Sequence, residues 1–77
     1  MSLPTLKNGS KGTDVRRLQG LLIANNYTDS AIDGAFGPKT AKSLGRFQAN
    51  KQVKNSVRNG RGDSVCGQHT WTALLGE

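Results

Sequence analysis

The chain has 77 residues and 8.2 kDa, 34% of them hydrophobic, with ten glycines and one cysteine, Cys66. That mass buries about 60% of its unfolded surface, enough for one domain with a modest core and too little for a catalytic domain beside a binding domain. Eleven Lys/Arg against five Asp/Glu give +6, which suits an anionic partner: nucleic acid, an anionic membrane, or a wall polymer bearing carboxylates and phosphates.

Residues 1–12 are polar and read as a lead-in loop in which only Leu3 and Leu6 pack. No basic stretch followed by an apolar run is visible there, so no secretory signal is expected. Thr13 offers an N-cap oxygen and Asp14 a first-turn charge. Val15, Leu18, Leu21 and Leu22 follow at helical spacing with Arg16, Arg17 and Gln19 on other faces, which predicts a helix over 13–25. Gly20 inside it suggests that a neighbouring backbone comes close. Asn25 and Asn26 end it, because Asn tolerates the left-handed conformation. The apolar run at 21–24 is far short of the roughly 20 residues of a membrane span.

Residues 27–37 read as loop, with a short extended piece near Ala31 and Ile32. Gly37-Pro38 signals the second helix, 38 to 50. Its inner face carries Thr40, Ala41, Leu44, Phe47 and Gln48; a buried Gln48 needs partners, which loop backbone groups can supply. Lys39, Ser43, Arg46 and Asn50 recur on an outer face. Residues 51–66 are a basic connection anchored by Val53, Val57 and Val65, without a strong strand signal. A short third helix over 67–75 carries Trp71, Leu74 and Leu75. The expected fold is all-α: a compact three-helix domain with long ordered loops.

Shifting the sequence by 30 aligns Asp33, Gly37, Thr40 and Leu44 with Asp63, Gly67, Thr70 and Leu74. One physical unit explains both copies: an acid accepts loop N–H groups, a glycine enters the helix, and a leucine docks one turn later.

Four ordered blocks then resemble a known family. They are Leu6-Lys7-x-Gly9-Ser10-x-Gly12-x-Asp14-Val15-x-x-Leu18-Gln19, Asp33-Gly34-x-Phe36-Gly37-x-x-Thr40, Phe47-Gln48, and Gly67-x-x-Thr70-Trp71-x-x-Leu74, with the aromatic Tyr27 after helix one. The set is similar to the peptidoglycan-binding domain of cell-wall hydrolases and phage endolysins. The similarity covers about residues 5–75, so the whole chain, 1–77, is expected to be one such domain. The resemblance implies a three-helix fold with an internal pseudo-repeat. It also implies a non-catalytic role: holding an attached or associated wall-degrading enzyme at the cell wall, or at a host wall if phage-encoded. The chain departs from the pattern at Asn26, where glycine is usual, at Asp63-Ser64-Val65-Cys66-Gly67, and in the longer basic segment 51–62.

On that reading the loop before helix two forms a shallow groove lined by Tyr27, Asp33, Gly34, Phe36, Gly37, Lys39 and Thr40. The free N–H groups and positive end of the helix would receive a carboxylate of a stem peptide or muramyl peptide. The Lys39, Lys42, Arg46 stripe could attract anionic wall polymers, and an exposed Trp71 could stack on a sugar. Each has a structural reading too: loop cap, solvated face, core. Cys66 and His69 are two ligands where a structural zinc needs four, so no metal or other cofactor is expected. Arg61-Gly62-Asp63 belongs to the repeat. The rival reading is a small basic nucleic-acid-binding helical domain, supported by the charge and by Arg58-Asn59-Gly60-Arg61-Gly62. No recognition helix stands out, however, so the expected partner is peptidoglycan, not nucleic acid or membrane, bound by a monomer. A hydrolase is excluded by inventory, because the loop acids read as caps and no convergent carboxylate pair remains.

Overall fold

A computed structural model describes residues 3–76. Three helices, α1 (Thr13–Ala24), α2 (Pro38–Lys51) and α3 (Gln68–Leu74), carry the core. Each buries one stripe: Val15, Leu18 and Leu22 from α1, Leu44 and Phe47 from α2, Trp71 and Leu74 from α3. Leu6, Phe36, Val53 and Cys66 close the core from the loops. The lead-in segment is stitched down rather than loose. Leu6 and Cys66 exchange both backbone hydrogen bonds, at 3.0 and 2.7 Å, and Phe36 N–H donates to Ser10 O at 2.9 Å.

Several local expectations change. Thr13 is the first helical residue, and Gly12 stands at the N-cap with no side-chain cap bond. Asn26 ends α1 at φ 71°. Ser43 lies on the packed side of α2 and is fully buried, not on the outer face. The extended pairing in the first loop involves Ala35, bridged to Lys11, rather than Ala31 and Ile32. At Gly20 an added Cβ would meet only a side-chain atom, Ile32 Cδ1 at 3.9 Å. The close backbone approach lies elsewhere: a Cβ on Gly62 would sit 2.5 Å from Gly45 O.

The basic connection holds a two-stranded antiparallel hairpin, β1 (Val57–Arg58) and β2 (Arg61–Gly62). Asn59 and Gly60 turn it with φ 53° and 77°, the two left-handed residues that a tight hairpin of matching twist requires.

Candidate functional site

Two buried glutamines organise the loops. Gln19, assigned from sequence to an outer face, is fully buried. Its Oε1 accepts the N–H groups of Asp33 (3.1 Å) and Gly34 (2.9 Å). Its Nε2 donates to Asp33 Oδ1 (2.9 Å), Ala35 O (3.1 Å) and Thr40 Oγ1 (3.1 Å). Gln48 repeats the arrangement one unit later. Its Oε1 accepts Ser64 N–H (2.9 Å), and its Nε2 donates to Asp63 Oδ1 (3.0 Å), Val65 O (2.8 Å) and Thr70 Oγ1 (3.1 Å). Each aspartate also accepts the N–H two residues on, from Ala35 at 3.0 Å and Val65 at 2.9 Å. That N–H and then the Gln19 amide hold the Asp33 carboxyl below its ordinary 3.8.

Helix α2 therefore serves both units. Its first half, with Thr40 and Leu44, closes the first as Thr70 and Leu74 close the second. Its second half, Phe47-Gln48, opens the second as Leu18-Gln19 opens the first.

The first clamp shapes a cleft of about 640 Å³ at the start of α2, lined by Thr28, Asp29, Ser30, Ala31, Asp33, Ala35, Gly37, Pro38, Lys39 and Thr40. No side chain caps α2 and Pro38 has no N–H, so the Lys39 and Thr40 amides lack intrahelical acceptors. Thr40 Oγ1 and Ser30 Oγ are 2.7 Å apart at its inner wall. A second hollow shares Thr28 and Asp29 and adds Asn25, Asn26, Tyr27, Arg46 and Asn50. There Arg46 Nη1 pairs with Asp29 Oδ2 at 3.0 Å. Tyr27 sets its ring edge-on to Phe47 at 5.6 Å and its hydroxyl accepts Asn50 Nδ2 at 2.9 Å.

Of the nine residues named from sequence, Asp33, Gly37, Lys39 and Thr40 meet in the cleft, and Tyr27 and Arg46 in the adjoining hollow. The other three sit in packed surroundings. Phe36 is core. Gly34 is buried at φ 78°, where an added Cβ would lie 3.0 Å from Arg16 Nε. Trp71 is 2% exposed and donates Nε1–H to Pro4 O at 2.8 Å, so it has no open face for a sugar. Thr28, Asp29 and Ser30 escaped the sequence reading because a polar loop carries no periodicity to aim its side chains.

Burial, and then the nearby Asp63 charge, push the Cys66 thiol up to about 12, which leaves it protonated and inert. Among the described residues no group of three or more His, Cys, Asp or Glu is placed to hold a metal ion.

Residues 11–56 match the family model described as "Putative peptidoglycan binding domain". Among solved structures the chain is similar to the SleB N-terminal domain, with 28% identity and a TM-score of 0.83 over 97% of this chain and 93% of that one. It is also similar to a Burkholderia AP3 phage endolysin, at 29% identity and a TM-score of 0.72 over 95% of this chain. It spans only 25% of that endolysin. No curated protein sequence matches it.

Proposed function

The chain belongs to the peptidoglycan-binding domain family, and from that premise we propose that it performs no reaction and grips the stem peptide in the cleft before α2. The observation that carries this reading is the mixed charge of that cleft. Lys39 and the free amides of the α2 N-terminus suit a carboxylate, while the carboxylate oxygens that Arg46 and Gln19 leave open, Asp29 Oδ1 and Asp33 Oδ2, suit an amine. A stem peptide presents both signs on one short chain; a bare N-acetylated glycan offers no amine. So small and open a site buries little ligand, and affinity is correspondingly modest. Its use is concentration: a wall-degrading enzyme joined to or associated with the module stays near its insoluble substrate. Nothing in the fold or in the similar proteins favours the nucleic-acid reading.

The test is co-sedimentation with sacculi freed of nucleic acid, at low salt. Lys39→Glu should weaken pelleting about fivefold, the effect of reversing one exposed charge beside a ligand. A defined muramyl peptide should shift amides of residues 28–40 in an NMR titration. Unchanged pelleting of Lys39→Glu overturns the placement, and failure of the folded wild type to pellet overturns the function.

A further inference from the structure

A second groove, of about 450 Å³, runs between α2 and the hairpin. Ala41, Gly45 and Gly62 line it, and its only charged lining residues are Lys42, Arg46 and Arg61. No acid faces it, in contrast to the stem-peptide cleft. Arg46 is tied to Asp29, but Lys42 and Arg61 enter no ion pair among the described residues.

The hairpin register supplies an independent observation. Arg58 and Arg61 stand directly opposite each other in a ladder of two residue pairs, both exposed. Like charges in directly opposed positions destabilise a sheet. The hairpin does not need them to form, since Asn59-Gly60 supplies the turn and Gly62 seats it against Gly45. The match to the family model ends at residue 56, before this hairpin. A local conflict retained on the surface, beside a groove of one sign, marks a place where function opposes stability.

We propose that this groove binds a phosphodiester polyanion of the cell wall, a polyol-phosphate chain, independently of the stem-peptide cleft. A ligand without amines suits walls of one sign. Arg61 offers the planar fork that matches phosphate oxygens. Lys42 and Arg46 lie four residues apart, about 6 Å along the axis, so Lys42 and the guanidinium N–H groups of Arg46 that Asp29 leaves open meet successive charges of a linear chain. No aromatic side chain lines the groove, so it lacks the stacking platform that single-stranded nucleic acids use.

The probe is purified polyglycerol phosphate, titrated into the whole chain at low salt. Amides of residues 41–49 and 60–64 should shift while those of 28–35 stay still. Lys42→Gln with Arg61→Glu should bind about tenfold more weakly. Its thermal midpoint should not fall, because Arg61→Glu turns an opposed like pair into an opposite pair. Should that variant fail to fold, Lys42→Gln alone should bind about threefold more weakly. Pelleting with walls stripped of phosphodiester polymers should match wild type, which separates this groove from the cleft. Undiminished binding by the folded variants, shifts confined to 28–40, or equally tight binding of a single-stranded oligonucleotide of equal charge would overturn the proposal.

Discussion

Gln19 is a polar residue doing the work of a core residue. Its amide joins α1 to the following loop through both backbone N–H groups it accepts and the carboxylate, carbonyl and hydroxyl it donates to. Replacing it with an apolar group of similar size keeps the packing but strands the buried Gly34 N–H, whose acceptor is Gln19 Oε1. Each stranded buried group costs about 1–3 kcal/mol, so Gln19→Leu should lose about 2–4 kcal/mol in urea unfolding. Gln19→Glu makes a sharper test. At neutral pH it sets a carboxylate against Asp33 Oδ1 and Ala35 O with no proton to donate, and should destabilise more than leucine does. A carboxyl held in such a place has its pKa raised, so its penalty applies above the unfolded value and fades on acidification. The glutamate variant should therefore regain stability relative to the leucine variant as pH falls toward about 4. Equal losses at both pH values would mean that the clamp acts by volume alone.

The hairpin illustrates how elements constrain one another. A Cβ on Gly62 would meet Gly45 O at 2.5 Å and Gln48 Oε1 at 2.5 Å. Neither can retreat: one belongs to a helical backbone, the other is fixed by its bond to Ser64 N–H. Gly62→Ala should thus cost more than about 2 kcal/mol, the scale of overpacking. Gly60→Ala, in open space at φ 77°, should cost about 1 kcal/mol by conformation alone. Thermal melts that rank them the other way would refute the close seating of the hairpin on α2. All three helices were legible from apolar spacing and from Gly37-Pro38. The hairpin was not, because Asn59-Gly60 is flanked by arginines instead of alternating apolar residues, although the dipeptide itself is a strong turn signal. Gln19 was missed for a related reason: periodicity assigns polar residues outward. The Leu18-Gln19 and Phe47-Gln48 pairs are also spaced by 29 residues while the rest of the repeat is spaced by 30, which hides them from a shift at one offset. Half the cleft was legible, because Gly37, Lys39 and Thr40 sit on a helix start that the sequence marks. The other half lies on the 28–31 loop, whose course is set by the Gln19 clamp.

At the scale of the molecule, a shared α2 means that the two units are interlocked and not appended. The first unit holds the cleft at the start of α2, and the family match at 11–56 covers it. Yet Cys66, Trp71 and Leu74 complete the core beyond that match, Cys66 pairs its backbone with Leu6, and Trp71 anchors Pro4. A fragment of residues 1–56 would expose the inner faces of α1 and α2 and leave Gln48 without Asp63, Ser64, Val65 and Thr70. A domain this small has about 5 kcal/mol of stability or less to lose, and removing three core residues and a polar clamp exceeds it. The fragment should therefore show no cooperative thermal transition by circular dichroism, and should not pellet with sacculi although every residue of the cleft is present. A sigmoidal melt of that fragment, with pelleting retained, would mean that the first unit folds alone and that the second half contributes only the basic hairpin.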